Sequence, residues 1–401
     1  MPGFEVFGEE EKKEILEVLE TGVLFRYEFA DKRNGVYKVE AFEQAFAKLC
    51  GVPYALAVSS GTAALRVALA ALGISPGDEV ITQGFTFVAT WEAILESGAI
   101  PVFTEVDETL NMDPEDLEPK ITKKTKAIIP VHMLGAQARI KEIVDIAARY
   151  GIPVIEDTAQ ACGGTIDGQY LGTFGDMGTF SFDSVKTITT GEGGMIVTKN
   201  RKLYLNASEF HDHGHDHNPN LERGLEGRRF FGFNFRMMEL QGAIGLAQLA
   251  KLESIIAEQR RHKRAIKEVM EEFEGITFRK VPDPNGDTAT FLAFFLPDGE
   301  KAAKFNKILS QAGAGAIYFK ENSWHYYPKW EHLLKGLTLC RTGWPFRNRE
   351  DRVDLDYLGN ALPRTDTIFE RLLVYPIPVK MTQERMETIT TAIRKAAKEV
   401  L

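Results

Sequence analysis

The sequence predicts an α/β protein built on a mostly parallel sheet, followed by a smaller α+β unit. Three observations lead there. From Tyr54 to Glu156 short apolar runs alternate with helical ones, a βα rhythm that implies a parallel sheet covered by helices on both faces. After Gly194 that rhythm stops, and one helical pattern runs from about Met238 to about Glu272, too long for a single compact layer. Beyond it, residues 276–401 mix strand-like and helical segments. The predicted division is residues 1–255 for an N-terminal segment and the large domain, and 256–401 for a small C-terminal domain.

Taken in order, residues 9–21 form an amphipathic helix. The aromatic loop Phe25-Arg26-Tyr27-Glu28-Phe29 follows, then a helix over 39–50. Tyr54–Val58, Glu79–Thr82, Ile100–Phe103, Thr125–Val131 and Ile152–Glu156 read as strands. Ala63–Leu72, Val88–Ser97, Pro114–Ile121 and Ile140–Tyr150 read as the helices between them. Gly178–Phe182 and Gly193–Val197 read as buried strands, and 201–210 as a helix. A polar, histidine-rich loop spans His211–Gly227. In the last unit Phe291–Leu296 is a strand and Thr382–Val400 the final helix. No internal repeat or low-complexity segment interrupts the pattern.

The composition is that of a globular chain: 401 residues, 44% hydrophobic and 26% charged. A net charge of -9, with no basic run, argues against a nucleic-acid surface. The three cysteines, Cys50, Cys162 and Cys340, have no metal-like spacing, which points to a reducing cytoplasm without disulfides. The acidic start and the lack of a long apolar run lead us to expect no signal peptide and no membrane association.

One stretch organises the rest: Ser181-Phe182-Asp183-Ser184-Val185-Lys186-Thr187-Ile188-Thr189-Thr190-Gly191-Glu192-Gly193-Gly194. Lys186 stands between two buried strands. A lysine there loses hydration, its ammonium pKa falls, and the neutral amine becomes a nucleophile toward aldehydes. That suggests a Schiff-base lysine carrying pyridoxal 5′-phosphate (PLP); a surface lysine in a loop is the plain alternative. Other pieces fall in the chain order that such a site needs. Ser59-Ser60-Gly61-Thr62 leaves a strand and opens a helix, where free amides attract an anion, although Ser-Gly-Thr is also an ordinary N-cap. Phe87 has the shape to stack on a pyridine ring. Asp157, at a strand end, would pair with a pyridinium nitrogen and keep the ring protonated. Gln160 would donate to the ring hydroxyl, and Ser181 would bind the phosphate. Each piece alone has a structural reading; their co-occurrence favours the joint one.

At this point the whole chain resembles the PLP-dependent sugar aminotransferases of the DegT/DnrJ/StrS type. The resemblance rests on Ser60–Leu65, Phe85–Thr90, Glu156–Ala161, Gly175–Phe182, Lys186–Gly194 and Gly232–Met237. It implies the aspartate aminotransferase fold (PLP-dependent fold type I), with a large mixed-sheet domain, and a homodimer with shared active sites. It also implies that Lys186 carries the cofactor, Asp157 meets the ring nitrogen, Gln160 the ring hydroxyl, and Phe87 the ring face. Gly61, Thr62 and Ser181 would hold the phosphate, with Asn234 reaching it from the partner subunit. Some family members are dehydratases with histidine at the lysine position; Lys186 places this chain with the aminotransferases.

Asp183 departs from the family pattern, which usually has an aromatic residue or histidine there. The loop Asp212–His217, the stretch Asn322–Tyr326, the opening Met1–Glu5 and Phe25–Tyr27 are also unusual. They are most similar to the branch that forms 8-amino-3,8-dideoxy-manno-octulosonate. That similarity implies transfer of the amino group of L-glutamate onto C8 of 8-oxo-3-deoxy-manno-octulosonate (8-oxo-Kdo), in lipopolysaccharide sugar biosynthesis. A nucleotide-linked keto-sugar is the alternative acceptor. Both anionic substrates call for cations or donors in the pocket, and Arg26, Arg236, His213, His215, His217, Tyr318 and His325 are the candidates. The alternating His and Asp residues of the loop, lacking cysteine partners, are read as a solvated or substrate-facing run with no metal.

Overall fold

The computed structural model describes residues 2–346 and 362–401. Helices α1 (Glu9–Thr21) and α2 (Lys38–Cys50) precede the alternation. This runs β1 (Tyr54–Val58), α3 (Gly61–Leu72), β2 (Glu79–Gln83), α4 (Val88–Glu96), β3 (Ile100–Thr104), α5 (Pro114–Leu117), β4 (Thr125–Ile129), α6 (Ile140–Tyr150) and β5 (Ile155–Asp157). The hairpin β6 (Thr165–Ile166) and β7 (Gln169–Tyr170) leads into β8 (Met177–Ser181), β9 (Gly194–Thr198) and α7 (Arg201–Phe210). Several expected boundaries move, three of them at a proline. Pro119 ends α5 early and leaves a 3₁₀ turn over Glu118–Lys120. Pro130 and Pro153, which have no N–H to offer a ladder, shorten β4 and β5.

The strands order as β3-β2-β4 and β5-β8-β9-β1. Parallel bridges Ile128–Val154 and Val131–Asp157 join the two groups into one sheet. Within it only β9 runs against its neighbours. Helices cover both faces. The Ala-rich α3 is buried nearly all round, whereas α6 buries only the stripe Ile140, Ile143, Ile146 and Ala147.

Helix α8 (Glu239–Met270) is the expected long helix, 32 residues without a break. Its first half packs on α1 and α2. Its second half sends Ile266, Val269 and Met270 into a separate core. That core is built by β10 (Thr277–Phe278), β11 (Phe291–Phe295), α9 (Gly299–Gln311), β12 (Ile317–Tyr318), β13 (Leu372–Pro376) and α12 (Gln383–Val400), with the four strands in an antiparallel sheet β10-β11-β13-β12, whereas α10 (Glu331–Leu334) and α11 (Pro363–Arg371) send Leu333 and Phe369 into a core shared with Phe85, Trp91 and Phe103. The expected boundary at residues 255/256 falls inside α8. Among the described residues no helix is long and apolar enough to cross a membrane.

Buried ion pairs tie the N-terminal segment to α8. Glu239 Oε1 lies 2.9 Å from Arg33 Nη1, with both side chains essentially inaccessible. Glu239 Oε2 accepts from Lys38 N at 2.6 Å and Val39 N at 3.0 Å, so it also satisfies the orphan donors at the start of α2. Removing the carboxylate strands a buried guanidinium and two amides. Glu239→Ala is therefore expected to lower unfolding stability by about 3–5 kcal/mol, read as a lower denaturant midpoint.

Candidate active site

A cavity of about 300 Å³ opens at the carboxyl ends of the parallel strands, the position such sheets reserve for ligands. The segments after β1, β2, β4, β5 and β8 all contribute to its wall. At one end is the start of α3. Ser60 Oγ caps that helix by accepting from Ala63 N at 3.0 Å. Gly61 packs so tightly that a Cβ there would fall 2.6 Å from Ser181 Cβ and 2.9 Å from its Oγ. The first-turn amides and the hydroxyls of Thr62 and Ser181 thus edge one concave surface.

Asp157 forms the opposite end. It is buried, and its carboxylate accepts from Thr90 Oγ1 at 2.9 Å and Ala159 N at 3.1 Å. Burial pushes its carboxyl pKa up; Thr90, Ala159 and the more distant charge of Lys186 only partly offset this. The neighbouring Glu156 fixes the strand end. It accepts from Gly172, Phe174 and Gly175 N–H at 2.7–2.8 Å, and its Oε2 lies 3.0 Å from His132 Nε2. Because His132 Nδ1 accepts from Ala138 N at 3.1 Å, the ring proton sits on Nε2 and points at Glu156.

Gln160 Oε1 accepts from Leu134 N at 3.0 Å, which fixes the amide's orientation; its Nε2 has no side-chain or backbone partner among the described residues, and the residue lines the cavity. Phe87, the residue before α4, keeps 38% of its surface exposed although it lines the cavity, so a ring face is free for a ligand. Lys186 closes the set. Its backbone is held by Lys186 N–Asp183 O and Gly3 N–Lys186 O hydrogen bonds, both 3.0 Å. Burial pulls its ammonium pKa down, against the opposing pull of Asp157 and Asp183.

The structure therefore gathers Ser60, Gly61, Thr62, Phe87, Asp157, Gln160, Ser181, Lys186 and His325 around one cavity. Other expected residues do not line it. Arg26 is buried against Glu43 and donates to Ala57 O at 3.0 Å, so its charge is spent inside the fold. Tyr318 gives its hydroxyl proton to Glu370 O at 2.8 Å, beneath β12. His215 is paired with Glu226. His217 packs 4.4 Å from the Tyr27 ring, and Arg236 joins Arg223 on Asp212. His213 is exposed away from the cavity, as is Asn234, which the resemblance assigned to a partner's site. Sequence reasoning overlooked Thr90, which orients Asp157, and the His132–Glu156 strut. Thr90 closes the Phe85–Thr90 stretch, where its residue type alone does not announce a contact with Asp157. Trp324, also unforeseen as a lining residue, sits beside His325, whose pKa burial and nearby Lys186 push down to about 4.

A profile of the DegT/DnrJ/EryC1/StrS aminotransferase family matches residues 6–343. The chain belongs to that family. It is 35% identical to the GDP-perosamine synthase of Vibrio cholerae over 77% of this chain and 82% of that protein. To the GDP-perosamine synthase of Escherichia coli O157:H7 it is 45% identical, over 55% of this chain and 60% of that protein's length. The crystal structure of NtdA from Bacillus subtilis with bound cofactor PMP superposes with a TM-score of 0.77 at 27% identity, covering 98% of this chain and 83% of that one. The architecture is accordingly PLP-dependent fold type I, and the protein is a PLP-dependent sugar aminotransferase.

The cavity's own features fit that cofactor. The concavity that a Cβ at position 61 would fill suits a phosphate at a helix N-terminus. A buried carboxylate held only by neutral donors suits a cationic ring nitrogen. The spare Gln160 amide suits a ring oxygen. Gly61→Ala, which would force the helix start away from Ser181, is expected to weaken PLP affinity by about 5- to 150-fold, given ~1–3 kcal/mol for overpacking. Titrating the apoenzyme with PLP by absorbance measures this.

Proposed function

We propose that the protein moves the amino group of L-glutamate onto C8 of 8-oxo-Kdo, giving 8-amino-Kdo and 2-oxoglutarate. We place this reaction in lipopolysaccharide sugar biosynthesis in the cytoplasm. The observation that carries this acceptor is the position of the distinctive stretch Asn322–Tyr326: Trp324 and His325 line the cavity that holds Lys186. His325 Nδ1 lies 3.2 Å from Asn322 Oδ1, an acceptor, so Nδ1 carries the proton. A neutral imidazole then offers Nε2 as an acceptor to a sugar hydroxyl. Trp324, 67% exposed, gives an apolar face to a sugar's C–H groups.

Each residue has a defined task in this reading. Gly61, Thr62 and Ser181 bind the cofactor phosphate, with Ser60 capping the helix beneath it. Phe87 packs on the ring, Gln160 donates to its hydroxyl oxygen, and Asp157 keeps a proton on the ring nitrogen. Bound PLP supplies an electron sink for the carbon that carries the amine. Lys186 Nζ anchors the cofactor and, once released, takes the α-proton of glutamate and returns a proton on the acceptor half. Its lowered pKa favours the neutral amine that both tasks require. Residues 1–255 and 256–401 act as large and small domains, the latter presenting Trp324 and His325.

The same reading includes a homodimer with shared active sites. The segment before α8 leaves Leu225, Phe231 and Phe233 exposed around Asn234, an apolar patch that suits a partner subunit. Asn234 would then reach the partner's cofactor phosphate.

A nucleotide-linked keto-sugar is the second reading, favoured by the 45% and 35% identities to GDP-perosamine synthases. Incubation with glutamate and either 8-oxo-Kdo or a nucleotide-linked keto-sugar, followed by mass spectrometry, separates the two. Amino sugar from 8-oxo-Kdo supports the first reading; amination of the nucleotide sugar alone overturns it.

A further inference from the structure

We propose that a cleft beside the second half of α8 is a binding site for a phosphate group, separate from the cavity around Lys186. Arg260, Lys263, Arg264 and Lys267 follow the spacing that places side chains on one helix face. Together with Arg279 they line a cavity of about 530 Å³ whose wall holds a single carboxylate, Asp287. The chain as a whole carries a net charge of -9, so this concentration of cations is local.

Asp287 is already engaged. Its carboxylate pairs with Lys263, and its carbonyl accepts from Arg260 Nε at 2.8 Å. Lys267 lies 3.3 Å from the exposed Glu271 and 4.9 Å from the centroid of the Phe278 ring, over which its ammonium sits. Arg264 is exposed and makes no hydrogen bond or ion pair among the described residues. Arg279 is the deepest of the set. Its terminal nitrogens donate to neutral carbonyl oxygens, those of Met133 at 3.0 Å and of Thr109, and its buried Nε–H has no partner among the described residues. A buried guanidinium without a carboxylate in contact is costly. Asp287 and Asp107 act on it without touching it, and an anion in the adjoining cavity would add counter-charge. Three arginines match the oxygens of a phosphate better than point-charge lysines would, and Phe278 and Leu292 add an apolar wall for the body of a phosphate ester.

Calorimetric titration tests this on holoenzyme saturated with PLP, so that the cofactor's own phosphate position is filled. Inorganic phosphate and, separately, AMP are titrated at low ionic strength. One saturable site per chain is expected, weakened about tenfold or more in Arg264→Glu, since hydrogen bonds to charged groups contribute about 1.5–3 kcal/mol. The double variant Arg264→Glu/Lys267→Glu should weaken it further. Tighter binding of AMP than of phosphate would assign the site to a phosphate ester lying on Phe278; equal binding would assign it to free phosphate. Absence of saturable binding by both, or unchanged binding in an Arg264→Glu variant with the parent's circular dichroism, would overturn the proposal.

Discussion

Replacing Lys186 with alanine is expected to reduce turnover by about 10⁴-fold, the upper end of what a positioned general base contributes, while the fold persists. The size follows from the double task proposed for this amine, which anchors the cofactor and also carries the proton between donor and acceptor. The folding side of the expectation rests on local geometry. The backbone of residue 186 is fixed by Asp183 O and Gly3 N, bonds that alanine keeps, and the side chain is only half-buried. Circular dichroism and the denaturant midpoint should therefore match the parent. A readout specific to the amine is rescue: a small primary amine in solution is expected to restore part of the lost rate, since it can enter the space vacated by the side chain. Borohydride reduction followed by peptide mapping should leave cofactor mass on residue 186 of the parent and none on the variant. Retained turnover in Lys186→Ala would remove this residue from the mechanism.

What was legible in the sequence is what is local in the chain. The strand-loop-helix windows around Ser60–Thr62, Phe87, Asp157–Gln160 and Ser181–Lys186 each hold their chemistry within a few residues, and the parallel sheet delivers all of them to one rim. The βα rhythm was readable because each strand is a short apolar run bounded by turn residues. Three of its errors fell at Pro119, Pro130 and Pro153, where the missing N–H decides the boundary. What escaped is what depends on distant partners. The charge of Arg26 suggested a substrate, yet Glu43 and Ala57 O claim it, and residue type alone does not distinguish those fates. The histidine-rich loop had the same ambiguity: His215 and His217 have the chemistry to meet a sugar acid, but Glu226 and the Tyr27 ring claim them. Arg33 with Glu239, His132 with Glu156, and Gly3 with Lys186 join residues far apart in the chain without a pattern to announce them. By contrast, Trp324 and His325 stood in a stretch already marked as unusual, and the fold carries them from the small domain to the cavity.

Asp157→Asn is expected to lower kcat by about 10²–10³-fold, the range for removing a charge-stabilising group aimed at the reacting system, with a much smaller effect on fold stability. The substitution is close to isosteric. Thr90 Oγ1 and Ala159 N–H, which now donate to the carboxylate at 2.9 and 3.1 Å, keep one carbonyl acceptor, while the added NH₂ faces one of these donors or the ring nitrogen. The loss is one of charge. In the apoprotein, burial pushes the Asp157 carboxyl pKa up, and a protonated ring nitrogen is a cation that would offset that cost. An amide cannot hold the proton in place, and the ring's capacity to accept electrons falls with it. A purely structural role for Asp157 would predict that no cofactor change helps. The electrostatic role predicts that reconstitution with an N-methylated cofactor analogue, whose ring charge is permanent, recovers a large part of the lost rate in Asp157→Asn and gives no gain in the parent. Equal, unrescued loss with both cofactors would show that the carboxylate acts by shape and not by charge.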